Sequence, residues 1–304
     1  MPHDLALCGW RVHSAFPIPD LPPWGGDDRV PDVTIDAGTV PGRLAPLAAE
    51  TRRLQAAVDG RCRFAVDGTA AYLVDAAGSR VIVDRQPGAA EADVRLYLLG
   101  TVFAILCYKR ALLPLHASAV RIGDRILAFS GASGAGKSTL AAALVARGHA
   151  LASDDVTVVD VSSGPIVARP AFPRLRLSQA SIEELALDLP ALECEAVDAK
   201  RPCVVPAFAE SPAPLGGIYL LRRARSAAVP RIDLVPGLAA AAELSTAVYR
   251  PKIGRAVAGA ERMFSAVTAL AGVVPVHVLE YGAGFETLDR VAEALEARQA
   301  AGTS

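Results

Sequence analysis

Aromatic residues are scarce in this chain, 5% of 304 positions, and neither sign of charge prevails, with 31 Lys and Arg against 32 Asp and Glu and a formal charge of −1. That balance excludes a general nucleic-acid binder, because broad polyanion binding needs an excess of basic side chains. Long apolar runs are lacking too. The most apolar stretch, Leu96 to Tyr108, has 13 residues and ends at Lys109-Arg110. Spanning a bilayer takes about 20, so the stretch reads as a buried helix and no membrane partner is expected. No basic segment precedes an apolar one near Met1-Pro2-His3-Asp4, so no secretory signal is read. There is no C-x-x-C pair. Cys8, Cys62, Cys107, Cys194 and Cys203 are scattered, and the closest two, Cys194 and Cys203, lack His partners at metal-ligand spacing. The expectation is a soluble cytoplasmic protein with reduced cysteines, no disulfide and no zinc.

What is present is apolar content, 52% of residues. That excludes a disordered chain and suffices for one large domain or two ordinary ones. Residues 14–42 are rich in Pro, Gly and Asp and read as extended chain with turns, followed by a short strand at Asp32–Ile35. Cys62–Val66, Ala71–Val74 and Arg80–Val83 read as a meander of hairpins, with Asp67-Gly68 and Ala77-Gly78 between them. A helical stretch from Ala92 to Leu112 closes this region.

From Leu115 the pattern changes. Leu115–Ile122 reads as a strand, Gly123-Asp124 as a tight turn, Ile126–Ser130 as a second strand, and Lys137–Arg147 as a helix stopped by Gly148. Ala150–Ser153 and Val156–Val161 are the next strands. Strand, loop, helix, strand is a βαβ signature, so this part is expected to be α/β. Ile218–Leu221 reads as a further strand, and helical periodicity returns at Leu238–Ala247, Arg255–Ala271 and Phe285–Ala300. The chain is expected to divide into a β-rich N-terminal domain, 1–111, and an α/β domain, 112–304.

Gly131-Ala132-Ser133-Gly134-Ala135-Gly136-Lys137-Ser138-Thr139 satisfies G-x-x-x-x-G-K-[ST]. Glycines let the backbone wrap a phosphate and turn N–H groups inward, and the following helix N-terminus favours the anion. Lys137 is expected on the β- and γ-phosphates and the Ser138 hydroxyl on Mg²⁺. Such chemistry also needs an acid. Asp154-Asp155 follow the strand after the helix, and neighbours on extended chain point to opposite sides, so the two take different jobs. One accepts a proton from an attacking hydroxyl; the other holds Mg²⁺. Asp160 and Glu280 compete for the acidic role, each after an apolar run. On spacing alone, His116 reads as a core residue.

Three segments together resemble the HPr kinase/phosphorylase-like serine kinases: Leu115-His116-Ala117-Ser118-Ala119-Val120, Gly131–Thr139, and Gly148-His149-Ala150-Leu151-Ala152-Ser153-Asp154-Asp155. The similarity runs from about residue 112 to 290. It implies a P-loop fold related to phosphoenolpyruvate carboxykinase and transfer of the γ-phosphate of ATP to a serine hydroxyl. It implies Asp154 as catalytic base, Asp155 with Ser138 on Mg²⁺, and His116 close to the phosphate or to the catalytic Asp. Arg174, Arg176, Lys200 and Arg201 resemble basic segments of kinase relatives. Residues 1–110 do not resemble the N-terminal domain of the HPr-phosphorylating enzymes, and Ser14-Ala15-Phe16-Pro17-Ile18-Pro19 is more similar to stand-alone relatives. Some of those accompany lasso-peptide and other ribosomal-peptide gene clusters and phosphorylate a precursor serine. The expected partner is therefore a peptide or small protein with a serine, captured by strand addition at the first domain's sheet edge. Relatives often form hexamers, so a homo-oligomer belongs to the expectation. The alternatives are an HPr-type regulatory kinase, a nucleotide-binding regulator without phosphotransfer, and a small-metabolite kinase using Arg222, Arg223 and Arg225.

Overall fold

The computed structural model describes residues 2–162, 164–187, 200–224, 229–282 and 284–301. Cys194 and Arg225 lie outside them. Short segments of alternating side chains build an eight-stranded sheet: β1 (His3–Leu7), β2 (Trp10–Ser14), β3 (Val33–Ala37), β4 (Leu47–Glu50), β5 (Leu54–Ala57), β6 (Cys62–Val66), β7 (Ala70–Val74) and β8 (Arg80–Arg85). Their order is β1-β2-β3-β8-β7-β6-β5-β4. β3 runs parallel to both neighbours, and the other pairs are antiparallel hairpins. The expected meander is β6 to β8. The β1–β2 hairpin escaped the sequence reading because its turn, Cys8-Gly9, combines a left-handed cysteine at φ 55° with a left-handed glycine at φ 76°. Cysteine carries no turn signal.

The apolar stretch after the sheet is helical but broken. α1 (Glu91–Tyr97) and α2 (Phe103–Lys109) flank a π turn at Leu98–Val102, and every residue from Leu98 to Tyr108 is buried. No single helix among the described residues is long and apolar enough to cross a membrane.

The segment expected as one strand at Leu115–Ile122 is two, β9 (Leu112–Leu115) and β10 (Ala117–Ile122). They part at His116, whose backbone N–H donates to the Ala247 carbonyl at 2.6 Å. β9 pairs with β13 (Thr157–Asp160), whereas β10 pairs with β11 (Arg125–Ser130) and β12 (Ala150–Ser153). α3 (Lys137–Ala146) connects β11 to β12. These two strands run the same way but are not neighbours, because β10 lies antiparallel between them. The local hairpin at Gly123-Asp124 takes one edge of β10 and leaves only the other for β12. The simple βαβ expectation is thereby corrected to a split one.

Beyond these lie β14 (Val167–Arg169), the ribbon β15 (Arg174–Ser178) and β16 (Lys200–Val204) with α4 (Gln179–Glu184), and the long strand β17 (Ala213–Arg223). The chain ends with β18 (Arg231–Val235), α5 (Gly237–Ala247), α6 (Pro251–Ala258), α7 (Ala260–Val273), β19 (Val276–Tyr281) and α8 (Leu288–Ala301). The helix expected over Arg255–Ala271 is broken at Gly259, φ 90°, where α6 and α7 bend by 118°. β17 lies parallel to β11 on one side and to β19 on the other. The carboxyl ends of β11, β12, β17 and β19 and the amino end of β10 therefore share one rim, where ligand sites form in open α/β sheets.

One apolar cluster runs unbroken from the first sheet through α2 and β9 to α7. A second lies around α3 and α8. Cys8, Cys62, Cys107 and Cys203 are buried and free.

Candidate functional site

The loop between β11 and α3 is held in its bend by glycines. Gly131, Gly134 and Gly136 have φ of 153°, 81° and 99°, and L side chains rarely adopt such values. Two of them are also closely packed. A Cβ on Gly131 would meet the Leu221 carbonyl oxygen at 2.9 Å, and one on Gly136 the Tyr281 hydroxyl at 2.6 Å. Tyr281 donates that hydroxyl to the Ala135 carbonyl at 2.8 Å, and the Arg223 guanidinium lies 4.4 Å above its ring. Ala135 N–H donates to the Ala132 carbonyl at 3.1 Å. The Lys137 ammonium folds over the loop, donating to Gly131 O at 2.9 Å and Ala132 O at 3.3 Å. Burial lowers its pKa, the Asp155 carboxylate opposes that shift, and nearby Lys200 adds to it. Ser133 lies on the exposed outer bend. The Thr139 hydroxyl, 3.1 Å from Ser181 Oγ, faces α4.

The two aspartates point apart. Asp154 is buried, 5% exposed, and its Oδ1 accepts from Ser138 Oγ at 2.9 Å and Ser118 Oγ at 2.5 Å. Its Oδ2 accepts from the Arg176 backbone N–H at 2.9 Å. Asp155 has a left-handed backbone, φ 68°, which turns its carboxylate to the opposite wall. There its Oδ1 lies 3.2 Å from His116 Nδ1, which also contacts the Asp155 carbonyl at 3.1 Å. Burial would raise the Asp155 pKa, but the His116 contact and the charges of Arg176 and Arg174 outweigh it and hold the carboxyl below its ordinary range.

His116 stands where two cavities meet. One, of about 490 Å³, is lined by loop residues Gly131 to Ser133, Leu220, Leu221 and Arg222. The other, of about 530 Å³, holds Asp155, Arg174, Arg176, Tyr249 and Arg250, with Tyr97, Gly100 and Thr101 of the α1–α2 segment on its far side. His116 and Thr246 line both. The amino-terminal region thus supplies part of the second wall. It also anchors it: Asp20, 6% exposed, accepts from Arg174 in a short ion pair and from Arg95 at 3.2 Å.

The competing acids lie elsewhere. Asp160 is paired with Arg169 at 2.6 Å and Glu280 with Arg231 at 3.5 Å. Arg222 is paired with Glu243 at 2.7 Å, and Arg223 donates to the Gly282 carbonyl at 2.7 Å. Lys200 and Arg201 open β16, facing Ser178 and Leu177 of β15. Sequence reasoning gave no role to Ser118, Tyr281 or Arg250. For Ser118 a signal exists: it is a hydroxyl residue inside Leu115–Val120, a segment that the sequence singles out. Tyr281 directly follows Glu280, the acid the sequence drew attention to. For Arg250 there is none, since its place depends on how α5 and α6 dock.

No family model matches the chain, and no curated protein does. Among solved structures, the HPr(Ser) kinase/phosphatase from Coxiella burnetii matches at 12% identity and a TM-score of 0.34, over 63% of this chain and 99% of that one. The likeness is weak and carries no argument about what this chain does. What the site does is argued from its own geometry.

Proposed function

We propose that this protein is an ATP- and Mg²⁺-dependent kinase that phosphorylates a serine hydroxyl of a peptide or small protein. The observation that carries the reading is the hydrogen bond at 2.9 Å between Ser138, at the head of α3, and the buried Asp154 carboxylate. A hydroxyl and a carboxylate side by side, next to a glycine loop that tolerates no side chain at Gly131 or Gly136, form an oxygen donor set suited to Mg²⁺ beside phosphates. The loop amides and Lys137 hold the β- and γ-phosphates. Mg²⁺, when bound, neutralises phosphate charge.

In this reading Asp154 is the metal-side acid and Asp155 the base, the reverse of the division that the family resemblance implies. Asp154 is enclosed by Ser118, Ser138 and the Arg176 N–H, which leaves little room for an incoming hydroxyl. Asp155 faces the second cavity with its carboxyl held ionised. The acceptor oxygen attacks the γ-phosphorus from that side. As the new P–O bond forms, the bond to the β-phosphate oxygen breaks and ADP leaves. The hydroxyl proton passes to Asp155, which His116 orients. A precursor peptide of the lasso type remains one acceptor consistent with this reading.

The test is transfer from labelled ATP to serine peptides, with nucleotide binding measured in parallel. Asp155→Asn should lower transfer about 10²–10⁴-fold while retaining nucleotide affinity, and Asp154→Asn should also lose the Mg²⁺ dependence of nucleotide binding. Intact ATP binding with no labelled serine in the wild type would replace the kinase reading with that of a nucleotide-binding regulator.

A further inference from the structure

The two cavities differ in how their charges are matched. On the loop side Arg222 is neutralised by Glu243 at 2.7 Å. On the other side the described residues of the wall include Arg174, Arg176 and Arg250 together with the Asp155 carboxylate. Arg174 is committed to buried Asp20. Arg250 is not neutralised: among the described residues it has no carboxylate partner, and its guanidinium rests against Tyr249, 5.5 Å above the ring and hydrogen-bonded to its hydroxyl.

The backbone at Arg250 is unusual as well. Its φ and ψ of 52° and 55° are left-handed, a conformation disfavoured for a long side chain. Neighbouring bonds hold it there. Tyr249 N–H donates to the Pro114 carbonyl at 2.9 Å, the Tyr249 carbonyl accepts from the Tyr108 hydroxyl, and Pro251 fixes the first turn of α6. Strain that its surroundings over-determine is a mark of functional positions. Here its effect is to set a guanidinium in the wall of the cavity that also contains Asp155.

We infer that the acceptor carries a carboxylate close to the hydroxyl that is phosphorylated, and that Arg250 binds it. The guanidinium fork matches a carboxylate with two parallel hydrogen bonds, which a neutral peptide segment does not offer. This rests on the kinase reading for the identity of Asp155 as base, but the binding step stands apart from transfer. The carboxylate comes from an acidic side chain beside the serine or from the end of the acceptor chain.

An array of serine hexapeptides separates these sources, with randomised flanks and either a free or an amidated C-terminus. Each peptide is scored for binding in the presence of a non-hydrolysable ATP analogue and Mg²⁺, and separately for phosphate transfer. The expected result is enrichment of Asp and Glu near the serine, or of the free-acid series, and a loss of about tenfold in that preference for Arg250→Asn. Asparagine tolerates the left-handed backbone, so this variant removes charge without adding strain. Arg250→Lys should retain part of the preference, and the thermal midpoint of each variant verifies folding. Binding without acidic or free-acid preference, a preference that survives Arg250→Asn, or no binding at all overturns the inference. Acidic peptides that bind through Arg250 but receive no phosphate would overturn the kinase reading alone.

Discussion

The cavities that meet at His116 are made of different materials. The loop side has one wall from a contiguous stretch, Ser130 to Ser133, which opens the loop shaped by glycines at positive φ, and a second from Leu220 to Arg222 at the end of β17. The second cavity, the acceptor side in the proposed reading, is side chains from distant segments: Asp155 after β12, Arg174 and Arg176 on β15, Tyr249 and Arg250 between α5 and α6, and Tyr97 and Thr101 from the α1–α2 segment. A backbone cradle suits a ligand common to many enzymes, whereas side chains gathered across the fold suit one that is particular to this protein. The comparison says where each class of mutation should register. Changes on the loop side should alter nucleotide and transfer together; changes on the acceptor side should spare the nucleotide.

The largest expected effect tests that separation at the boundary. Asp155→Asn should lower turnover about 10²–10⁴-fold, the range for loss of a positioned base, with nucleotide affinity unchanged. Its carboxyl lies below the ordinary value of 3.8, so it is ionised at every pH above about 4. No inflection from this group should appear in the rate between pH 5 and 8. An acid-limb pKa near neutrality that persists in Asp155→Asn would assign the base elsewhere. On the loop side, Lys137→Ala should cost about 10²–10³-fold in turnover, the scale of losing one preorganised electrostatic contact. Unlike Asp155→Asn, it should also weaken nucleotide binding in a fluorescent-analogue titration.

The same contrast explains what was legible in the sequence. The loop is written in consecutive residues, and glycine, lysine and serine each carry a local conformational or chemical meaning. The aspartate pair was legible because it closes a strand next to that loop. What each aspartate does was not, because it depends on Ser118 across β10 and on the left-handed turn at Asp155. The arginine wall was legible only as basic residues. Its shape depends on Asp20 pairing with Arg174 across 154 positions of sequence and on α6 starting where β9 lets it. The first sheet's meander declared itself by alternation and glycine turns. The split of β9 from β10 did not, since continuous apolar residues hide a change of partners at His116.

Asp20 offers a stability test of the non-local side. It is 6% exposed and bound to Arg174 and Arg95, themselves 10% and 13% exposed. Asp20→Ala leaves two guanidinium groups in a largely buried setting, and removing one partner of a buried pair costs about 3–5 kcal/mol. Urea unfolding should show that loss. Peptide KM should rise with it, because Arg174 would no longer be held in the cavity wall, while nucleotide affinity stays put. A loss of nucleotide affinity equal to that of peptide would mean that the cavities are not independent.

The smallest effect concerns acid stability, and it lies behind the loop side rather than in either cavity. His277 on β19 is stacked on Tyr219, with ring centroids 5.1 Å apart, and its Nε2 accepts from Arg298 at 2.8 Å. The proton is therefore on Nδ1, which is buried without a partner among the described residues. Burial and the Arg298 charge push its pKa down from 6.5 to about 4. The unfolded chain takes up a proton that the folded one refuses, so stability is complete above pH 6.5 and falls as pH drops from 6.5 to about 4. Glu296 acts lower. Arg147 and then His149 hold it at about 2 against burial, from 4.5, so its contribution is present above 4.5 and is lost as pH falls toward 2. Urea midpoints at pH 7.5, 5.5 and 4.5 should decline in the wild type. In His277→Gln the decline above pH 4.5 should flatten, since glutamine fills the site but does not titrate. An unchanged slope would show that the acid sensitivity arises elsewhere. A loss of ATP binding at pH 5.5 before any unfolding would tie the acid response to the loop itself.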